Sequence, residues 1–359
     1  MLKRTPARWW IPEDGSFVRC LLCPRQCRIA PQKRGFCGVR ENVDGSLMSV
    51  VYGYPVAMQN DPIEKKPLYH FLPGTRIFSI GTFGCNLGCL FCQNDSLSRG
   101  VPQDSMTLRY WQPSEIVDLA LMQRCQSIAF TYNEPSVFAE YAVDVAKLAH
   151  LAGLKTVFVS NGYILPEAAR EIYPHIDAAN IDMKGFSEDF YSELCKASLQ
   201  PVLESIEFFH NTLGRHVELT NLVIPGKNDS PELIDAWLDW VERKLGYEVP
   251  LHFSAYFPAY QFRIPPTSPE LLRRIGRHAH DRGFKHVHLG KYLTCTENSE
   301  RALHASSFPG RINSRRADFR FRGAAVSQWK QTGMGAEYFC KIAGMGKSAH
   351  PGDLRNRMP

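Results

Sequence analysis

Three cysteines lie close together in one glycine-containing stretch of the sequence. The stretch from Gly84 to Asn94 reads Gly-Cys-Asn-Leu-Gly-Cys-Leu-Phe-Cys-Gln-Asn and carries Cys85, Cys89 and Cys92. Three thiolates can hold a cubane iron–sulfur cluster and leave one iron without a protein ligand, where a small molecule can bind. Metal sites with such an open position are typical of catalysis, whereas closed sites are structural. A zinc site short of one ligand and a set of buried thiols are the alternatives.

A second cysteine group lies nearer the amino terminus. Cys20, Cys23, Cys27 and Cys37 are separated by two, three and nine residues. Four thiols can close a metal site completely, and the set suits either tetrahedral zinc or an auxiliary iron–sulfur cluster. The spacing does not decide between them. A structural metal is the interpretation we favour, with four free thiols on a loop-rich lobe as the alternative.

The composition supports metal binding by these thiols. The chain has 359 residues, 44% hydrophobic content and 11 cysteines, seven of which fall in the two groups. Its amino terminus lacks the apolar core of a signal peptide, and the sequence contains no uninterrupted apolar run of the length that a membrane span requires. We therefore expect a soluble, cytoplasmic protein whose thiols stay reduced and bind metal rather than form disulfides.

The net charge of +6 is not spread evenly along the chain. Residues 301–359 contain 11 Lys and Arg against 3 Asp and Glu, which leaves 31 basic against 33 acidic residues elsewhere. A body without basic excess argues against a dedicated nucleic-acid enzyme.

Strand and helix patterns alternate along most of the chain and predict an α/β fold. Helical periodicity and strand-like apolar runs alternate from the cysteine loop to about residue 290. Such alternation predicts parallel strands, and about six units suggest a partial (β/α)6-type TIM barrel with its active loops at the strand carboxyl ends. Strands are predicted at 127–131, 156–159, 178–183, 218–224, 251–255 and 286–289, and helices at 116–123, 137–151, 167–172, 188–194, 202–213, 231–245 and 269–282.

The chain divides into three predicted regions. Residues 1–72 form a Cys-rich lobe with its connector, and residues 73–290 form the barrel. Residues 291–359 are rich in Arg, Gly and Ser and contain the isolated Cys295 and Cys340. Their composition predicts a disordered or loosely attached basic tail.

Polar side chains follow several of the predicted strands. The carboxylate of Glu134 can bind an ammonium group, while the hydroxyl of Ser160 and the amide of Asn161 suit a ribose. Asp182 and Lys184 share one side of a strand and can bind a hydroxyl and a carboxylate, or stabilise one another. For each residue alone, a satisfied polar group or an ion pair is the alternative.

These motifs resemble those of the radical SAM superfamily, in which SAM is S-adenosylmethionine. The Cys-x3-Cys-x2-Cys loop, Tyr-Asn-Glu-Pro around Glu134, Ser-Asn-Gly from Ser160 and Asp-Met-Lys from Asp182 are similar to its cluster and SAM-contact motifs. Within the superfamily the chain resembles the branch of the pyruvate formate-lyase activating enzymes. With Cys-Pro-x2-Cys, Gly-x-Cys-Gly-Val-Arg and Asp-Pro-Ile-Glu-Lys-Lys-Pro-Leu-Tyr-His-Phe, residues 8–290 resemble the radical SAM enzyme of the AmmeMemoRadiSam system.

The resemblance implies a function and a set of ligands. The three loop cysteines would hold a [4Fe-4S] cluster whose fourth iron binds the amino and carboxylate groups of SAM. Reduction would cleave SAM to a 5′-deoxyadenosyl radical, which abstracts hydrogen from an unidentified substrate. Glu134 would orient the SAM amine, Lys184 would assist near its carboxylate, and the ribose would be held by Ser160, Asn161 and Asp182.

The resemblance also implies partners, and other functions remain as alternatives. A one-electron donor such as flavodoxin or ferredoxin would reduce the cluster, and Memo-like and AMMECR-like proteins would be further partners. A glycyl-radical-enzyme activase is the alternative within the enzyme class. A zinc-dependent nucleic-acid-binding protein and a plain electron-transfer protein are alternatives of other classes.

Overall fold

Six short strands form two small antiparallel sheets near the amino terminus. The computed structural model describes residues 2–102 and 106–290. The strands are β1 (Thr5–Pro6), β2 (Trp10–Glu13), β3 (Phe17–Cys20), β4 (Arg28–Ile29), β5 (Arg40–Val43) and β6 (Ser46–Ser49). Their orders are β1-β6-β5 and β2-β3-β4. The buried amide of Asn42 in β5 donates to the carbonyl oxygens of Ser16 and Ile29, both at 2.8 Å, and so ties the two sheets together.

An eight-stranded sheet follows, and its strands lie side by side in chain order. They are β7 (Ala57–Pro62), β8 (Arg76–Gly81), β9 (Ser127–Phe130), β10 (Lys155–Ser160), β11 (Ala178–Asp182), β12 (His216–Val223), β13 (Leu251–Ala255) and β14 (Val287–Gly290). Strand β7 is antiparallel to β8, and the other neighbouring pairs are parallel. Within the described residues, β7 and β14 do not pair with each other. The sheet is therefore open, as the predicted partial barrel requires.

Helices connect most of the parallel strands. They are α1 (Asp95–Ser98), α2 (Pro113–Met122), α3 (Ala139–Leu151), α4 (Pro166–Ile172), α5 (Glu188–Phe190), α6 (Gln200–Glu207), α7 (Pro231–Lys244) and α8 (Pro269–Asp281). Proline in the first turn and a preceding serine cap start α7 and α8, where the Ser230 and Ser268 hydroxyls accept backbone hydrogen bonds. Across the described ranges, every helix is too short or too polar to span a membrane.

The predicted elements of the barrel are confirmed within a few residues. Strand β13 has the predicted bounds, and α3, α7 and α8 differ from the prediction by at most two residues at either end. Helices α5 and α6 are shorter than predicted because each continues as a π-helical turn, Tyr191–Cys195 and Phe208–Thr212. The tail predicted at 291–359, with Cys295 and Cys340, lies outside the described residues. The division at residue 72 stays a prediction.

A buried carboxylate holds the connector between β7 and β8 against the sheet. The side chain of Glu218 in β12 is fully buried and accepts hydrogen bonds from the backbone N–H groups of Tyr69 (3.0 Å) and His70 (2.8 Å). The Nε2 atoms of His216 (3.0 Å) and His252 (2.6 Å) contact the same carboxylate. Burial alone would raise the pKa of Glu218, but these hydrogen bonds outweigh it and hold the pKa well below its usual range.

Further histidines pack beside this carboxylate. The Nε2 atoms of His70 and His288 are 2.8 Å apart, so one ring must be neutral to accept the proton of the other. The rings of His252 and His288 stack with their centroids 4.9 Å apart. Burial, with the neighbouring His252 and His70, lowers the pKa of His288 from 6.5 to about 4.

We expect the protein to lose stability as the pH falls from 6.5 towards 4. The unfolded chain protonates His288 near pH 6.5, but the folded protein does so only near pH 4, so the unfolded state binds more protons in this window. The measurement is the guanidinium unfolding midpoint at several pH values within it. His288→Asn should flatten the pH dependence, whereas His280→Asn, at an exposed position, should not. Equal pH dependence in all three proteins would contradict the prediction.

Candidate active site

A cavity of about 320 Å³ opens at the carboxyl ends of the parallel strands. Parallel strands place these ends at one edge of the sheet, so the loops after β8, β9, β10 and β11 meet there. The cavity lining includes every residue that the sequence predicted for the cluster and for SAM, namely Cys85, Cys89, Cys92, Glu134, Ser160, Asn161, Asp182 and Lys184. The structure thus brings the predicted residues together, and their ligand roles stay predictions.

Asn133 holds the start of the cluster loop, which is the stretch Gly84–Asn94. Its amide Nδ2 donates to the carbonyl oxygens of Phe83 (3.0 Å) and Gly84 (2.8 Å), and its Oδ1 accepts from the backbone N–H of Thr82 (2.9 Å). Only 8% of the residue is exposed, so water does not substitute for these bonds. Asn133 therefore fixes the direction in which the chain leaves β8.

Arginines hold the carbonyl groups of the same loop. The Nη2 atom of Arg99 donates to the carbonyl oxygens of Cys85 (2.8 Å) and Leu87 (2.5 Å). Arg25, from the amino-terminal lobe, donates to the carbonyl oxygen of Asn86 (2.5 Å). These donors satisfy backbone groups that have no partner in a helix or sheet.

The middle of the loop pairs with the π-helical turn after α5. Gly88 N–H donates to the carbonyl oxygen of Cys195 (2.8 Å), and Leu90 N–H donates to that of Leu194 (2.9 Å). Cys89 lies between these two bonds, and its thiol contacts the buried thiol of Cys195. The hydrogen bond from Cys195 lowers the pKa of Cys89, against the effect of burial.

The other two loop thiols also have specific contacts. Cys85 Sγ accepts from the backbone N–H of Leu87 (3.4 Å) and lies 3.7 Å from Nδ2 of Asn161. Cys92 Sγ is 2.9 Å from the hydroxyl of Ser98. Burial raises the pKa values of Cys85 and Cys92. Burial therefore disfavours the thiolate forms of Cys85 and Cys92, and a bound metal cation would compensate their charge.

The three thiols of the cluster loop are a donor set that suits an iron–sulfur cluster. Cys85, Cys89 and Cys92 all line the same cavity. A cubane cluster binds each thiolate through a different iron, so three thiolates leave one iron for another ligand. The cluster loop therefore fits such a group.

Glu134 is a buried carboxylate with three donors. Its Oε1 accepts from the backbone N–H of Ser136 (2.9 Å) and the hydroxyl of Ser160 (2.8 Å), and its Oε2 accepts from the N–H of Asn161 (2.8 Å). Burial raises the pKa of Glu134, although these hydrogen bonds oppose the change. The donors fix the orientation of the carboxylate towards the cavity.

Ser160 and Asn161 form part of the same network. The Ser160 hydroxyl accepts from the N–H of Gly162 (3.0 Å) in addition to its bond with Glu134. The Asn161 amide donates to the side-chain oxygen of Asn86 (2.9 Å). Both side chains are therefore satisfied polar groups within the protein, which is the alternative that the sequence left open, and they position the carboxylate and the cluster loop.

Asp182 and Lys184 pair with each other, as one of the two sequence interpretations expects. Lys184 Nζ lies 2.9 Å from Asp182 Oδ2. Burial would lower the pKa of Lys184, but Asp182 and the nearby Cys89 thiol together raise it. The ammonium group is therefore a stable positive charge beside the cluster loop.

The second cysteine group surrounds its own enclosed cavity. Cys20, Cys23, Cys27 and Cys37 all line it, together with Arg40 and the cluster-loop residue Asn86. We call it the four-cysteine cavity. Burial raises the pKa of Cys20 to about 11 and also raises the pKa values of Cys23 and Cys37.

Several positioning residues were missed by the sequence reasoning. Asn133 stands in the Tyr-Asn-Glu-Pro motif, in which only the carboxylate of Glu134 has an obvious chemical role. Asn86 and Cys195 carry no spacing signal because their partners lie far away in the sequence. Arg99 carries none because it binds backbone carbonyl groups, which any residue type provides. The one sequence signal for Asn86 was that a polar amide directly follows the first cysteine of the loop.

Similarity to known proteins agrees with this geometry. Residues 79–238 match the family model of the Radical SAM superfamily. An uncharacterized protein of Methanocaldococcus jannaschii is 42% identical over 278 residues, which cover 77% of this chain and 82% of that protein.

Two solved structures of low sequence identity align with parts of the chain. A radical SAM methyltransferase from Sphaerobacter thermophilus aligns with a TM-score of 0.49 and 16% identity over 80% of this chain and 76% of its own. A domain of a pyruvate-formate lyase-activating enzyme from Bacteroides vulgatus aligns with a TM-score of 0.41 and 16% identity over 46% of this chain and 99% of its own.

Residues 79–238 are therefore a Radical SAM superfamily domain, and the protein is an enzyme of radical chemistry. This family implies SAM and a [4Fe-4S] cluster as cofactors, and the three thiols of the cluster loop fit that cluster.

We expect Asn133→Ala to destabilise the protein by about 2–4 kcal/mol, because it removes partners from buried backbone groups at Thr82, Phe83 and Gly84. Urea unfolding of the metal-free protein measures this change. Asn211→Ala is the matched control, since Asn211 is exposed and makes one backbone contact, to Lys244. Equal unfolding midpoints for the two variants would contradict the role of Asn133.

Proposed function

We propose that this enzyme cleaves SAM reductively at a [4Fe-4S] cluster held by Cys85, Cys89 and Cys92. The observation that carries the proposal is the shared cavity, in which these thiols lie beside the buried carboxylate of Glu134 and the ammonium group of Lys184. The cluster and SAM would supply a 5′-deoxyadenosyl radical that abstracts hydrogen from the substrate.

The residues of the chain would bind and orient SAM. The carboxylate of Glu134 is held by three donors and can accept a hydrogen bond from the SAM ammonium group. Lys184 supplies a positive charge for the SAM carboxylate, and Asp182 can accept from a ribose hydroxyl. Ser160 and Asn161 complete the ribose side in this proposal. Their bonds to Glu134 support a second contribution, the positioning of that carboxylate.

The proposal places the enzyme with the radical SAM protein of the AmmeMemoRadiSam system. The Cys-Pro-x2-Cys, Gly-x-Cys-Gly-Val-Arg and Asp-Pro-Ile-Glu-Lys-Lys motifs support this assignment. Memo-like and AMMECR-like proteins would be its partners, and flavodoxin or ferredoxin would donate one electron. In this proposal residues 1–72 form a lobe that binds a second metal group, zinc or an auxiliary cluster, and residues 73–290 form the catalytic barrel in the cytoplasm.

We expect Cys89→Ala to abolish formation of 5′-deoxyadenosine. The measurement is anaerobic reconstitution with iron and sulfide, reduction with dithionite in the presence of SAM, and chromatography of the products. Cys125→Ala is the control because Cys125 is a buried thiol outside both cysteine groups. It should keep wild-type product formation. A reconstituted wild-type protein that holds a cluster yet forms no 5′-deoxyadenosine would overturn the proposed function.

We expect Glu134→Gln to weaken SAM binding roughly 10- to 100-fold, because the variant loses a hydrogen bond between charged groups. Titration calorimetry on the reconstituted protein measures the affinity. Iron content must match that of the wild type, so that a lost cluster is not mistaken for lost SAM contact. Glu207→Gln, at a surface ion pair with Lys244, should leave the affinity unchanged. Unaltered affinity in Glu134→Gln would remove the carboxylate from the SAM site.

A further inference from the structure

The four-cysteine cavity is built from a tight turn and the strands around it. Cys20 at the end of β3 donates its N–H to the carbonyl oxygen of Cys27 (3.0 Å), and Gln26 donates to Cys23 (3.0 Å). Cys20 is only 6% exposed and Cys23 8%. The turn therefore directs thiols from different chain positions to one enclosed space.

A buried donor without a partner lies at the wall of this cavity. Arg40 is 1% exposed; its Nη2 donates to both Glu140 carboxylate oxygens (2.6 and 2.8 Å), and its Nη1 donates to the carbonyl oxygen of Arg8 (3.0 Å). Its Nε has no hydrogen-bond partner among the described residues. An unsatisfied buried N–H is costly, so a ligand in the cavity that accepts this hydrogen bond would stabilise the site.

The unpaired Arg40 donor favours a cluster over zinc. A zinc ion would add no hydrogen-bond acceptor to its four thiolates. A cubane also carries inorganic sulfides, which can accept a hydrogen bond from Arg40.

The cavity adjoins the cluster loop. Asn86 lines the four-cysteine cavity, and its neighbour Cys85 lines the active-site cavity. Gly84 packs against the backbone of Cys37, because a Cβ atom there would lie 2.7 Å from the Cys37 carbonyl oxygen. The two cysteine sets are therefore separated only by the packed backbone of residues 84–86 and Cys37.

We propose that the four-cysteine cavity binds a second [4Fe-4S] cluster through Cys20, Cys23, Cys27 and Cys37, and that Arg40 Nε donates a hydrogen bond to it. Arg40 is a positioning residue in this site, since the thiolates alone bind iron. The proposal is independent of SAM cleavage, because it concerns thiols that the proposed reaction does not use.

The test uses the full chain with the three cysteines of the cluster loop replaced, so that only the four-cysteine cavity can bind iron. The variant Cys85→Ala/Cys89→Ala/Cys92→Ala is reconstituted anaerobically with ferrous iron and sulfide while zinc is present at equal concentration. We expect about four iron and four sulfide per chain and a paramagnetic signal after reduction. Adding both Cys20→Ala and Cys23→Ala, which leaves only two thiols, should remove the iron, whereas adding Cys125→Ala should not. Stoichiometric zinc without iron, or no metal at all in a folded chain, would overturn the proposal.

A second measurement tests the role of Arg40. Arg40→Lys keeps the positive charge opposite Glu140 but lacks the Nε donor. In the triple-alanine background, Arg40→Lys should keep the iron. It should shift the midpoint potential of the cluster to a more negative value, because hydrogen bonds to cluster sulfurs raise the potential. A merely structural role would change iron content or thermal stability and leave the potential unaltered. An unaltered potential with full iron content would exclude the hydrogen bond.

Discussion

The hydrogen bonds that hold the cluster loop are the constraint on which the site depends. The loop has little regular secondary structure, so its backbone groups need partners from other elements. Asn133 after β9, Arg99 after α1 and the turn ending at Cys195 supply them. Arg99 is close to the loop in sequence, but Asn133 and the turn at Cys195 reach it only through the fold of the sheet. The positions of the thiols therefore depend on the folded barrel.

The amino-terminal lobe also supplies hydrogen bonds that hold the cluster loop. Arg25 donates to the carbonyl oxygens of Asn86 and Lys196 and so bridges the cluster loop and the π-helical turn that supports it. Arg40 and Glu140 join the lobe to α3 through a buried, bidentate ion pair. A buried pair of this kind tolerates little displacement, because either charge alone would be strongly destabilising. The lobe is therefore part of the packing of the site.

Local patterns in the sequence were sufficient to predict the strands and helices of the barrel, but not the hydrogen bonds between its polar side chains. Apolar runs and helical periodicity define β9 to β13 and α3, because each depends on neighbouring residues. The cluster thiols were equally predictable, since their spacing is short. Asn133 and Glu218 were not identified, because their partners lie some 50 and 150 residues away and leave no period in the chain. The small sheets of the lobe were also missed, since strands of two to four residues carry almost no pattern.

The surroundings of the thiols, more than the thiols themselves, set the chemistry that each cysteine group can perform. The cluster loop supplies three sulfurs and faces a cavity that also holds Glu134 and Lys184, whose charges match an amino acid's ammonium and carboxylate groups. The four-cysteine cavity has four thiols in an enclosed wall that also contains Arg40 and Asn86. An open coordination position is useful only where a substrate can reach it, and a closed set of ligands protects a metal group from exchange. On the functions proposed above, cysteine thiols would therefore support a reactive site in the barrel and a closed metal site in the lobe.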